Sequence, residues 1–143
     1  MPSRFSNQIM MGLIESRLHP LIGTRLAVIR VVGRRTGKTY ATPINVDREG
    51  DGWMFTSLKS RTWWRNLGGE EEAELRLAGK SYTVKGRVVD GYEAVKEGLA
   101  AYFERHPKEC RYFGVRIGAD GRPLGEDLEH AAADRVIVRL RPT

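Results

Sequence analysis

Apolar and polar positions along this 143-residue chain change period several times. Phe5, Ile9, Met10, Leu13, Ile14 and Leu18 recur at helical spacing with polar residues opposite, after a capping Ser3 and before a helix-ending His19-Pro20. Thr24 to Val32, rich in β-branched residues, and Lys38 to Asp47 then read as strands. Pro43 lacks an N–H, so the second strand belongs at a sheet edge or a bulge. A turn at Glu49-Gly50-Asp51-Gly52 leads to a third strand, Trp53 to Ser57, with Trp53 and Phe55 on one face and Met54 and Thr56 on the other. Thr62 can cap a short helix from Trp63 to Leu67, stopped by Gly68-Gly69. Ala73 to Leu77 and Ser81 to Val89 form a hairpin about Ala78-Gly79-Lys80, and Gly86 marks a bulge or a close backbone approach.

The second half predicts a helix from Tyr92 to His106, with Ala94, Val95, Leu99, Tyr102 and Phe103 on one side and Pro107 as its stop. Cys110 to Ile117 alternates as a strand does, and Gly118-Ala119-Asp120-Gly121 is a turn. A short helix over Leu124 to Ala133 and a final strand over Arg135 to Arg141 complete the chain. The elements make an α+β fold: an antiparallel, partly closed barrel of about six to seven strands with an N-terminal helix and peripheral helices, in one domain over residues 1–143.

Composition narrows the function classes. The net charge is +6 and the isoelectric point about 9.8, which suits an anionic partner: a small molecule, a nucleic acid or a membrane face. The basic residues are spread along the chain without a run of five. Cys110 is the single cysteine, so the chain forms no internal disulfide, and a reducing cytoplasm is its natural setting. His19, His106 and His130 lack metal-ligand spacing, so no metal is expected. The N-terminus has no long apolar core of a signal peptide. A membrane-surface reading of the first helix is the weaker one, because only Arg4 and Arg17 supply its cations.

Two pieces carry candidate chemistry. Gly33-Arg34-Arg35-Thr36-Gly37-Lys38 is a basic turn between the first two strands. It reads as a hairpin tip with solvated charges, or as an anion site where turn N–H groups and arginines meet a phosphate or carboxylate. Trp63 and Trp64 stand beside Lys59, Arg61 and Arg65. They read as one core and one covering indole, or as a platform for a flat anionic ligand. The functional reading requires both pieces to face one cleft.

Gly-Arg-Arg-Thr-Gly-Lys, then Thr42-Pro43-Ile44, then a strand ending Thr56-Ser57, then Trp63-Trp64-Arg65-Asn66-Leu67, resembles the deazaflavin-dependent nitroreductase family. These are split-β-barrel oxidoreductases related to FMN-binding proteins, and the resemblance covers about Ile22 to Val89. It implies that Arg34, Arg35, Thr36, Lys38 and Lys59 hold the cofactor's phosphate and acidic tail. Thr42, Pro43 and Ile44 would line its ring, next to the Thr56-Ser57 strand end, and Trp63, Trp64 and Asn66 would close the site. One departure is plain: Ser57-Leu58-Lys59-Ser60-Arg61-Thr62 stands where many members have Ser-Lys-Gly-Gly, a longer loop and a proline.

The implied cofactor is the deazaflavin coenzyme F-420, with FMN as the alternative. The implied reaction is hydride transfer to a small-molecule electron acceptor, a quinone, a nitroaromatic or another conjugated compound. The cofactor carries the hydride and the protein orients it. Tyr102 and Tyr112 are the candidate proton donors, against the commoner role of a packed tyrosine. Barrels of this kind often pair, which implies a homodimer. A non-catalytic binder of an anionic small molecule or lipid is the competitor from another class. Nucleic-acid binding ranks last, because the aromatics form a single pair and no nucleic-acid motif is present.

Overall fold

The computed structural model describes residues 26–33, 35–69 and 71–143. The expected N-terminal helix and Arg34 lie outside the described residues. Among the described residues seven strands are present: β1 (Leu26–Val32), β2 (Thr39–Asn45), β3 (Asp47–Glu49), β4 (Gly52–Leu58), β5 (Glu72–Leu77), β6 (Lys80–Val89) and β7 (Arg135–Pro142). Two α-helices, α1 (Tyr92–Arg105) and α2 (Gly125–Asp134), and two 3-10 helices, Trp63–Leu67 and Pro107–Phe113, accompany them. The strands form one sheet in the order β2-β1-β5-β6-β7-β4-β3, the antiparallel split-barrel arrangement of an α+β protein.

The described residues fall into two compact units. The first comprises the residues up to Phe55, Trp63–Val88 and Val138–Thr143, and the second Thr56–Thr62 and Val89–Ile137.

In the first unit β1 is flanked by β2 and β5. Ala27, Val28 and Ile29 are all fully buried, so this strand is covered on both faces and its β-branched run is a core run. β2 is an edge strand, where the missing N–H of Pro43 is tolerated. The second strand is shorter than expected. β2 ends at Asn45, opposite Leu26. Asp47–Glu49 is a separate strand paired with β4, Asp47 opposite Met54 and Glu49 opposite Gly52. The chain changes partner where the described β1 ends. β4 also departs from simple alternation: Trp53, Met54 and Phe55 are all buried.

The β5–β6 hairpin closes tightly, with Leu77 opposite Lys80 across Ala78-Gly79. Both turn residues have positive φ, Ala78 at 54° and Gly79 at 79°. This is the backbone that Asn-Gly adopts readily and alanine does not. Ala78→Asn is therefore expected to stabilise the protein by ~0.5–1 kcal/mol, read as a higher denaturation midpoint with an unchanged m-value. Gly86 is a close-approach glycine, as the sequence suggested: a Cβ there would sit 2.8 Å from the Leu67 carbonyl oxygen and 3.0 Å from its Cβ.

In the second unit α1 buries Val95, Leu99, Tyr102 and Phe103, while Ala94 of the expected face is exposed. Of the segment Cys110 to Ile117, expected to alternate, Ile117 forms an isolated antiparallel bridge with Pro123, and the first four residues belong instead to the 3-10 helix Pro107–Phe113. Pro107 sits in its first turn, where its fixed φ suits a helical turn, and Gly114 ends it at φ 69°. The helix buries Cys110 and sets Phe113 edge-on to Phe103, centroids 5.0 Å apart. The Arg135 guanidinium lies over the Phe113 ring, 4.3 Å from its centroid.

The Gly118–Gly121 turn is held by Gly118 N–H to the Arg122 carbonyl at 2.7 Å. It leads to Asp127 in the first helical turns of α2. The Asp127 carboxylate accepts from Arg116 Nε at 2.9 Å, Arg116 Nη2 at 3.2 Å and the Arg116 backbone N–H at 2.9 Å. The Arg116 side chain and backbone N–H hold this carboxyl at about 2, below its ordinary 3.8. A lowered acid pKa contributes stability above the unfolded value and loses it as pH falls through the folded one. Thermal melts of Asp127→Asn and the unsubstituted protein are thus expected to differ above about pH 4 and to converge as pH falls toward 2. A gap of constant size over that range would exclude the ion pair as its source.

Candidate functional site

The basic turn is built by its own backbone. Gly33 N–H donates to the Lys38 carbonyl at 2.7 Å, and Gly37 N–H donates to the Gly33 carbonyl at 3.0 Å. Gly37 takes φ 71°, which an L side chain rarely adopts. The Thr36 hydroxyl accepts from Lys38 N–H at 3.2 Å and lies 3.2 Å from the Tyr40 hydroxyl. Tyr40 is packed so closely that a Cβ on Gly33 would meet its ring at 2.6 Å. Three turn N–H groups, those of Gly33, Gly37 and Lys38, are thus engaged within the hairpin. What the turn presents outward is side-chain charge: Arg35 and Lys38 are exposed, and neither has an acidic partner among the described residues.

Past the turn, Thr42 and Pro43 are half-buried on edge strand β2, and Ile44 is buried. The 3-10 helix Trp63–Leu67 packs against β1, the strand that enters the basic turn. Trp64 is 8% exposed and Trp63 half-buried. Trp63 stacks on Phe55 with centroids 5.6 Å apart and planes 5° from parallel. Arg65 lies over the Trp64 ring at 5.5 Å, and Asn66 Nδ2 donates to the Trp63 carbonyl at 3.0 Å. The indole N–H groups of both tryptophans are buried and have no acceptor among the described residues. A buried donor left unpaired costs ~1–3 kcal/mol, so two neighbours in this state are unusual.

The remaining expected residues belong to the second unit. Thr56 is half-buried; Ser57 is buried and donates its hydroxyl to the Leu58 carbonyl at 3.3 Å. Lys59 anchors its backbone N–H on the Asp134 carbonyl at 2.8 Å and exposes its side chain. The Tyr102 ring is buried against Phe103, His106 and Phe113. Tyr112 is 65% exposed, and its hydroxyl accepts from Arg111 Nη2 at 2.7 Å. Burial pushes the Cys110 thiol up, which makes it a poor nucleophile. Among the described residues, no group of three His, Cys, Asp or Glu could hold a metal ion, and no helix is long and apolar enough to cross a membrane.

A cavity of about 450 Å3 opens in the first unit, and its lining contains none of the site residues expected from the sequence. Its wall includes Glu49, Lys85, Arg87, Arg139 and Arg141. The signal available in the sequence was the pair of basic-x-basic triplets, Lys85-Gly86-Arg87 and Arg139-Leu140-Arg141. Each puts two cations on one face of a strand.

No family model matches the chain, and no curated protein sequence does. Solved structures share its fold. An F-420 reductase superposes with a TM-score of 0.51 at 18% identity, covering 92% of this chain and 91% of that one. The FAD and haem binding protein from Mycobacterium smegmatis superposes at 0.53 and 16% identity, covering 100% and 68%. An F-420-H2 dependent reductase superposes at 0.50 and 14% identity, covering 80% and 93%.

Proposed function

We propose that the protein is a cytoplasmic oxidoreductase, acting as a homodimer, that binds the deazaflavin coenzyme F-420 and passes a hydride from its reduced form to a quinone, nitroaromatic or other conjugated acceptor. The observation that carries this reading is the basic turn, which presents the exposed side chains of Arg35 and Lys38 outward without an acidic partner among the described residues. The Phe55–Trp63 stack would supply an aromatic neighbourhood for a planar ring. Arg34, Arg35, Thr36, Lys38 and Lys59 would take the cofactor's phosphate and acidic tail, since arginine and lysine side chains suit such groups. Thr42, Pro43, Ile44, Thr56 and Ser57 would line the ring, and Trp63, Trp64 and Asn66 would close over it. When bound, the cofactor supplies the two-electron chemistry; the chain binds, orients and keeps water from it.

For a proton donor the candidates are Tyr102 and Tyr112. The burial of the Tyr102 ring among aromatics accords with a packing role, while the hydroxyl of Tyr112 is reachable from solvent. The fold neighbours support the class of cofactor: two are F-420 reductases, and one binds FAD, which keeps FMN or another flavin as the second reading.

The test is a titration of purified protein with coenzyme F-420, followed by fluorescence and by calorimetry. Saturable binding is expected, with ~2.7 kcal/mol of added stability at a hundredfold excess over Kd. Reduced cofactor should then be oxidised when a quinone is added. Absence of binding would end the deazaflavin reading, and a flavin spectrum in the purified protein would replace it with the second.

A further inference from the structure

We propose that the cavity walled by the β3–β4 turn, Gly68-Gly69 and the ends of β6 and β7 binds a small phosphorylated molecule, at residues distinct from those assigned to the cofactor. The volume, about 450 Å3, lies within the range of small-molecule sites. Its chemistry is set by two neighbouring strands. Lys85 and Arg87 come from β6, and Arg139 and Arg141 from β7. The Thr143 N–H donates to the Thr83 carbonyl at 3.0 Å, which sets the antiparallel register. Counting back from that bond brings Arg141 beside Lys85 and Arg139 beside Arg87. The same four side chains line the one cavity.

Like charges facing each other across a strand pair oppose folding. Here they are only half compensated. The lining holds two carboxylates, Glu49 and Asp51, against four cations. Glu49 Oε1 is taken by Arg139 Nε at 2.7 Å. Arg87 and Arg141 are exposed and have no ion-pair partner among the described residues. The lining is left with two positive charges, and a phosphate monoester at neutral pH carries about −1.5 to −2. Paired arginines are the side chains that grip such a group with two parallel hydrogen bonds.

Four glycines, Gly52, Gly68, Gly69 and Gly86, also line the cavity. Gly69 has nothing within 4 Å of where a Cβ would stand, and Gly68 has nothing nearer than 3.6 Å. Gly52 and Gly86 are bare because neighbouring backbone passes against them, Leu140 at the first and Leu67 at the second. A pocket lined by arginines and by glycine backbone admits a phosphate and leaves room for the body of the molecule. This reading is independent of the redox proposal.

The probes are inorganic phosphate and pyrophosphate, titrated by calorimetry at constant ionic strength with chloride as the balancing anion. An Arg34→Gln/Arg35→Gln/Lys38→Gln background silences the basic hairpin. One saturable site is expected, and adding Arg87→Gln or Arg141→Gln should weaken it at least tenfold. Each of these two variants should melt, without phosphate, no lower than its parent, because a like-charge contact has been removed; this shows that the loss is one of binding and not of folding. Binding no stronger than chloride, or equal binding by the Arg87 and Arg141 variants, would overturn the proposal. So would a tighter affinity for mixed-sequence duplex DNA through the same cations, with a steep salt dependence.

Discussion

Gly52→Ala is expected to destabilise the protein by about 3 kcal/mol, with a fall in Tm of roughly 10 °C. A Cβ on Gly52 would overlap the backbone carbonyl of Leu140 and stand 3.1 Å from the Arg141 Cα. The obstacle is main chain on the neighbouring strand, so no rotamer change relieves it; β4 and β7 must part. Both strands are core strands. Trp53, Met54 and Phe55 follow directly on one, and Val136, Ile137, Val138 and Leu140 are buried on the other. Separation therefore loosens packing as well as ladder hydrogen bonds, in an interior that tolerates little added volume. Gly69→Ala provides the contrast. It lines the same cavity but has free space around it and no positive φ, so its effect should fall within about 0.5 kcal/mol. Paired denaturant curves measure both. Equal effects would mean that glycine entropy, and not the strand crossing, governs Gly52.

Arg35→Gln/Lys38→Gln is expected to weaken binding of coenzyme F-420 by about 100-fold while leaving the melting temperature of the free protein nearly unchanged. Each charge-assisted hydrogen bond to an anion is worth ~1.5–3 kcal/mol, and two such bonds sharing one turn add incompletely. Folding should not suffer, because both side chains are exposed and no described acid pairs with either. The turn is held by other groups: the Gly33–Lys38 and Gly37–Gly33 backbone bonds and the Thr36 hydroxyl. Fluorescence titrations at one ionic strength, repeated at a second, read the effect, and the salt dependence should flatten with the charges gone. Undiminished affinity in the double variant would detach the basic turn from the cofactor, whatever the indoles do.

Two glycines crowded by neighbouring backbone show how far local reading reaches. Gly86 was legible, because a lone glycine inside an alternating strand signals close backbone approach. Gly52 was not, because it closes a Gly-rich turn and reads as a turn residue. The chemistry divides the same way. The basic turn and the double tryptophan stand out as short contiguous patterns. The cavity cations come from triplets more than fifty residues apart in the chain, and either triplet alone is an ordinary solvated strand face.

Local pattern determined what is set within a few residues. The β5–β6 hairpin, the edge position of Pro43, the stop of α1 at Pro107 and the short tryptophan helix follow from side-chain period and from the limits that proline and glycine place on φ. Tertiary structure decided where pairing changes hands: β2 pairs with β1 as far as Asn45, and Asp47–Glu49 pairs with β4 instead. It also turned Cys110–Phe113 from a plausible alternating strand into a 3-10 helix, because Phe113 packs against Phe103. Strand order places β7 between β6 and β4, and that adjacency alone gathers the cavity's cations. Period and turn chemistry are short-range constraints, whereas partner choice is fixed by which buried faces the whole chain can bring together.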